Sequence, residues 1–553
     1  MKPLLFLILS INFIINVSLN SRSNYNSKEI FLHEQNKKMF EVKYIIQNNI
    51  INLSDDYIIT RISWTKKEDY RFNYLLGIFE GDNDPSFSNA VPIAMIKEVE
   101  NFNQENHIDI DIPKIYKYIR YIPPNKNKTD IYPIKFYGHP KSELNRNLKE
   151  DSDFQPTNLP LISINTEGSI KPVKKDEELV CKVIIINEGK IETKADAKIK
   201  VRGKSTSMQE KKPYRLKFDN EQKILGLEGS YKKWTLIANH YDKTLMRNAL
   251  AFKISELIGF EYTPRCLPVD LILNGEYRGN YYICDQMEIG KNRINLDKMK
   301  KTDISEPNIT GGYYMEIDGG GDFYGYPYLE TPKGIKWKIN SPDEDEIADE
   351  QKNYIIQKMN NFESEAYEGN FNSMDLETYS KFFLQEEFCG DPDELWSSFY
   401  FTKKRNDDKF YFGPVWDFDL AFDNDMRLIP TNDKPNFAFY YGASAGTMLD
   451  FTKALIGNKI VINYIKETWE KLKNSILKET ALINFIEQQK DYISESAELN
   501  FIKWDINIRE NNYRKEFLFE RFSLDVEILK DYITKRFTTL TDLINKAVSQ
   551  STK

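Results

Sequence analysis

Three carboxylates sit among large apolar side chains in Gly413-Pro414-Val415-Trp416-Asp417-Phe418-Asp419-Leu420-Ala421-Phe422-Asp423-Asn424, and no other stretch limits the fold so tightly. Aspartate is depleted from strands and seldom buried alone, so acids set among Val, Trp, Phe and Leu need a compensating cation. A divalent metal would supply it. Upstream, Ser397 to Lys404, the polar turn Arg405-Asn406-Asp407-Asp408 and Lys409 to Phe412 read as a hairpin of aromatic-rich strands, which puts Asp417 just beyond a strand end. Before the hairpin, Asp391-Pro392-Asp393-Glu394-Leu395-Trp396 follows a helical run from Tyr379 to Phe388. One hairpin therefore separates Asp393 from Asp417, a layout in which one carboxylate orients an acceptor hydroxyl and another holds magnesium. A purely structural reading stands beside it: Asp391 and Asp393 cap a turn around Pro392, while Asp417 and Asp419 pair with surface lysines.

A chain of 553 residues can bury more than one core, and two domains are expected. Its 76 basic and 84 acidic residues leave a net charge of -8, which argues against a broad basic surface for nucleic acid. Residues 1–22 read as a signal peptide: Met1-Lys2-Pro3 precedes the apolar run Leu4 to Val17, which falls short of the roughly 20 residues a bilayer span needs. Secretion, to the medium or the cell surface, is the expectation. No later segment is apolar enough to cross a membrane, and the polar tail from Ala547 to Lys553 does not resemble a lipid-anchor signal. Cys181, Cys266, Cys284 and Cys389 lack the paired spacing of a zinc site; Cys266 and Cys284 flank a predicted hairpin and could face each other as thiols or as a disulfide. Sequons at Asn52, Asn127 and Asn308 fit a glycoprotein.

Residues 24–140 read as short strands with turn punctuation, a sandwich-like all-β accessory domain with no catalytic cluster and a carbohydrate or protein partner in view. The polar stretch 141–158 reads as a linker. From 159 onward, strand-like segments at Leu159 to Ile164, Leu179 to Ile186 and Ala197 to Val201 lead to the small, polar, flexible Arg202-Gly203-Lys204-Ser205-Thr206-Ser207. The strand Lys211 to Phe218 follows, with Arg215 and Lys217 on one face and Tyr214, Leu216 and Phe218 on the other. A Gly- and Ser-bearing loop leading into a lysine-bearing strand is what a nucleotide-phosphate clamp needs, although a lysine on a half-exposed strand is commonly just solvated. A helix opens at Asp242 and stops at Gly259, and Arg247 and Asn248 in its early turn are free to contact an anion. Asn274-Gly275 marks a hairpin ending in Asp285-Gln286-Met287-Glu288, whose carboxylates could partner a lysine or a metal. A strand spans Gly311 to Asp318 with Glu316 and Asp318 at its end, and helices dominate from Asp345 onward. The class is α+β with a mainly helical C-terminal lobe.

Six blocks in order now carry a resemblance to the CotH kinase family, named for a bacterial spore-coat protein: Val201 to Thr206, Lys212 to Lys217, Trp234 to Asn248, Val269 to Gly279, Gly311 to Asp318, and Gly413 to Asn424. The resemblance covers roughly 159–550 and implies an atypical protein-kinase-like fold. It also implies a secreted kinase that binds ATP and Mg²⁺ (or Mn²⁺) and phosphorylates serine or threonine on extracellular or surface proteins. Carried over by position, Lys217 is the phosphate-pairing lysine, Asp393 the acid that orients the hydroxyl, and Asp417 the magnesium ligand. Asp419 is the alternative ligand, Ser398 stands where many kinases place the second-metal Asn, Arg202 joins the nucleotide-binding set, and Gln286 or Glu288 partners Lys217. The chain departs from the family at Asp391-Pro392, at Asp423 and at Lys204. The competing hypothesis is a non-catalytic surface protein that uses the kinase-like fold as a scaffold for adhesion or assembly.

Overall fold

The computed structural model describes residues 39–551 except 48–49, 54–56, 66–72, 100–103, 111–114, 125–132, 141–152, 321–326, 394, 426–438, 440–446 and 505–514. The predicted signal peptide, the Asn127 sequon and most of the predicted linker lie outside the described residues. Two compact units emerge, one of 1–171, 180–196 and 270–278, the other of 172–179, 197–269 and 279–553. The architecture is mixed α+β, with an all-β N-terminal part, and among the described residues no helix is long and apolar enough to cross a membrane.

In the first unit, nine strands between Phe40 and Pro140 form two sheets. One has the order Phe40–Val42, Ile134–Pro140, Tyr57–Thr65, Glu105–Asp109; the other runs Tyr44–Gln47, Ile50–Leu53, Tyr118–Ile122, Ile78–Asp82, Val91–Met95. Ile62, Trp64 and Phe136 from the first sheet share one core with Ile51, Phe79 and Ile119 from the second, so the apolar faces bury each other as a sandwich must. Farther along, Leu161–Thr166 pairs antiparallel with Leu179–Asn187 and parallel with residues 270–273. The Asn274-Gly275 turn has φ of 52° and 73°, the left-handed pair a two-residue hairpin needs. The described end of the predicted linker is tethered: Thr157 Oγ1 donates to Asp270 Oδ2 at 2.6 Å.

Within the second unit, residues 197–201 pair with Tyr214–Gln222, which pairs with Tyr231–Ile237, which pairs with residues 282–285. Alternation sets the faces, for Ala197, Ile199, Val201, Tyr214, Leu216, Phe218, Trp234 and Leu236 are all buried. A separate sheet has the order Leu329–Glu330, Lys336–Ser341, Tyr313–Ile317, Phe399–Lys403, Phe410–Phe412, and its last two strands are the predicted aromatic hairpin.

Helices Asp349–Tyr367, Leu376–Cys389, Leu449–Gly457, Lys459–Ser475, Glu479–Trp504 and Lys515–Gln550 supply the helical part. Aromatic rings bind helix to sheet, with Phe382 4.3 Å from Phe399 and Phe362 5.1 Å from Phe410. The last helix clasps Leu376–Cys389: Tyr532 donates to the Phe388 carbonyl at 3.0 Å, and the buried Arg536 reaches the Glu387 carboxylate at 3.0 Å. Helix Leu376–Cys389, capped by Asp375 and stopped by Gly390 at φ 63°, thus delivers the Asp391-Pro392-Asp393 turn from a fixed base. All four cysteines are free thiols, and Cys284 is pushed well up by burial and then by the nearby Cys266.

Candidate active site

Every side chain of the site belongs to the second unit. Strand Lys190–Val201 runs out into Arg202-Gly203-Lys204. Gly203 has φ 88°, and a Cβ there would lie 2.6 Å from Thr206 Oγ1, so only glycine makes this bend. The loop, expected to be flexible, is pinned: Ser207 Oγ donates to the Lys204 carbonyl at 2.6 Å and Lys212 Nζ to the Ser207 carbonyl at 2.7 Å. Arg202 lies over the Trp416 ring at 5.3 Å. Lys204 Nζ is 2.7 Å from Asp318 and 3.7 Å from Glu316. Lys338, opposite Glu316 in register, reaches the same two acids at 2.9 and 3.1 Å.

Asp417 follows Trp416 with φ 77°, a conformation costly for a residue with a Cβ and concentrated at functional sites. Its neighbours hold it there. Trp416 packs against Phe252 at 5.7 Å, and the Phe418 N–H donates to Asn248 Oδ1 at 2.8 Å, while Asn248 itself donates to Asn239 at 3.1 Å. On the other side, the Asp393 N–H donates to Asp391 Oδ1 at 3.1 Å, and the Asp393 carbonyl accepts from Trp396 and Ser397 at 2.8 and 3.0 Å.

The acids act on one another. Asp417 is exposed to solvent, although its neighbours Val415, Trp416, Phe418 and Asp419 are buried. Burial pushes its carboxyl up, Arg202 and Lys204 pull it down, and Asp393 and Glu316 add to the rise. Asp419 is buried and pushed well up by burial, then by Asp417, Asp242, Asp391 and Asp393. Asp391 is likewise pushed well up by burial and then by Asp393 and Asp417, while the Asp393 N–H and Glu386 oppose the rise. Asp393 and Asp417, separated in sequence by the hairpin, therefore share one electrostatic field.

Lys217 does not pair as the sequence reading expected. It is exposed, opposite Lys198 on one neighbouring strand and Lys233 on the other. The cations that act on Asp417 are Arg202 and Lys204. Gln286 accepts from Thr235 at 3.0 Å, and Glu288 pairs with Arg293 and, at 3.3 Å, with Lys233, so neither is the expected partner of Lys217. Asp285 is held by Arg265 at 2.7 Å and Arg293 at 3.3 Å. Arg247, open to an anion in the sequence reading, is buried against Asp242. Ser398 is half-buried with φ 62°. Lys204 and Asn248 are the residues whose roles the sequence hid; the pattern of a lone lysine in a polar loop, or of Asn beside Arg in a helix, carries no sign of what lies across the fold.

With that geometry in place, comparison with known proteins is informative: a family model described as "CotH kinase protein" matches residues 199–540, well over half of the 553 residues and every residue of the cluster. The chain belongs to the CotH kinase family. No curated protein matches it. Among solved structures, CBM62 from Clostridium thermocellum Xyl5A aligns at 27% identity over 16% of this chain and 68% of that one, with a TM-score of 0.15. Overlap that slight carries no argument.

The all-oxygen donor set of this CotH kinase family member suits a hard cation. Among the described residues no three Asp, Glu, His or Cys side chains gather as a preformed metal cage.

Glu386 offers a test of the electrostatics. Its carboxyl is buried and pushed well up by burial and then by Asp391. A folded state that holds protons more tightly than the unfolded chain loses stability as pH rises from the ordinary carboxylate range through the raised values. Glu386→Gln removes one such titration while keeping a donor toward Asp391. The melting temperature at neutral pH should rise and its decline with pH should flatten; a wild-type melting temperature that climbs with pH over this window would contradict the assignment.

Proposed function

We propose that this CotH kinase family member is an atypical protein kinase that transfers the γ-phosphoryl group of ATP to serine or threonine hydroxyls of proteins. The observation that most supports the reading is that Arg202, lying over the Trp416 ring next to Asp417, acts on the Asp417 charge together with Asp393 and Lys204. In this reading Asp417 holds Mg²⁺ or Mn²⁺, with Asp419 or Ser398 as a further oxygen ligand. Bound there, the metal neutralises charge on the transferred group. Half-exposed Asp393, its backbone fixed by Asp391, orients the acceptor hydroxyl. Arg202 and Lys204 take the phosphate-facing part expected of Lys217. Lys204 is paired with Asp318 much as a kinase lysine is paired with its glutamate, which keeps the ammonium aimed.

Thermal unfolding with ATP and Mg²⁺ tests this reading, because a ligand at about 100 times its Kd stabilises the folded state by about 2.7 kcal/mol. The wild-type midpoint should rise and that of Lys204→Ala should rise much less. No shift in the wild type, together with no label passed from ATP to a serine peptide, would sink the kinase reading. We propose also that the run Leu4 to Val17 sends the chain into the secretory route, so that the acceptors are extracellular or surface proteins; recovery of a tagged chain from the medium without residues 1–22 tests it.

A further inference from the structure

Five cations share the outward face of three adjacent strands in the second unit. In register, Lys198 stands opposite Lys217 and Lys217 opposite Lys233; one row on, Lys200 stands opposite Arg215. Just past the end of the same strand lies Arg202, over Trp416. Like charges directly opposite on a sheet repel, and three lysines in one row are a cost the fold itself does not need. Arg215 is matched by Glu178 at 2.7 Å and Lys233 by Glu288 at 3.3 Å. Among the described residues no carboxylate lies within ion-pair distance of Lys198, Lys200 or Lys217. Burial tends to raise the Glu178 carboxyl, yet Arg215, Lys200 and Lys217 together hold it low; Glu178 and Asp176 act in turn on Lys200, so the five cations outnumber the acids Glu178, Asp176 and Glu288 that act on them.

Resting on the kinase reading, we propose that this face docks an acidic, extended segment of the acceptor protein and leads its serine or threonine toward Asp393 and Asp417. The rows are two residues apart, about 7 Å, which is the repeat of alternate side chains in an extended chain. Lys198 and Lys200 lead along it toward Arg202, where the phosphate-facing part begins. An acceptor carrying Asp or Glu at alternate positions beside its hydroxyl matches both the charge and the spacing. Specificity of this kind acts through encounter and register and weakens with salt.

The experiment uses the full chain and two labelled serine peptides, one with Asp at alternate positions and one with Asn in their place. Binding is read by fluorescence anisotropy and phosphate transfer by label from ATP. Wild type should bind the Asp peptide about tenfold more tightly at low salt, with the gap closing as ionic strength rises. Lys198→Glu/Lys200→Glu should erase the preference and leave both the melting temperature and transfer to the Asn peptide unchanged. Equal binding of the two peptides by wild type, or a preference that survives the double reversal, overturns the docking surface and leaves the kinase reading intact. Competition by ATP for the Asp peptide also overturns it, since the face would then belong to the nucleotide. Preferential binding of the Asp peptide without any phosphate transfer would instead remove the kinase reading and leave the docking surface standing.

Discussion

Asp417→Asn should lower phosphate transfer by about 10³-fold, on the scale of losing a group that manages charge at a transferred phosphoryl. The amide keeps the size and shape of the carboxylate and gives up only its charge. Burial and the nearby Asp393 and Glu316 already disfavour that charge, although Arg202 and Lys204 oppose them. The variant should therefore fold at neutral pH at least as well as wild type while losing turnover and the Mg²⁺-dependent part of the ATP thermal shift. A structural ion-pair role gives the opposite pattern, with stability lost and turnover spared.

Asp242→Ala should destabilise the second unit by about 3–5 kcal/mol, the cost of leaving one member of a buried pair without the other. Asp242 accepts from the Thr244 N–H at 2.9 Å, Thr244 Oγ1 at 2.7 Å and the Arg247 N–H at 2.8 Å, and it also takes the Arg247 guanidinium. Both partners are buried. Tryptophan fluorescence during denaturant unfolding reads the loss, and Asp242→Ala/Arg247→Met should recover a large part of it by removing the stranded cation. A single variant within about 1 kcal/mol of wild type would show that water reaches Arg247 and relieves it. Turnover should fall as well, because the same turn begins the helix that carries Asn248, the acceptor of the Phe418 N–H beside Asp417.

Much of this was legible in the sequence because the signals are local. Asn274-Gly275 specifies a tight turn wherever it stands, Asp375 and Gly390 bracket a helix, and apolar alternation in Tyr214 to Phe218 fixes which face is buried. The acids of Asp417 and Asp419 stood out for a similar reason, since carboxylates among aromatic residues need an explanation that their neighbours cannot give. The family, too, was readable from six short blocks, each spelling a turn or a strand with a particular polar residue at its end, and the match over 199–540 bears it out.

Cation placement was not legible. Alternation says that Lys217 faces away from the buried side of its strand but not what stands opposite, and cross-strand register is decided by the closing of the sheet, which set Lys198 and Lys233 beside it. Lys204, in a loop with no periodicity to read, meets Asp318 and Glu316 across more than a hundred residues of chain because Gly203 bends at φ 88° and the strand Tyr313–Ile317 ends nearby. The sequence by itself determined the secondary elements, the family and the acids that need a counter-charge. Only the tertiary structure decided which cations answer them, because side-chain type is a local property whereas the distance between two charges depends on how all the intervening chain is packed.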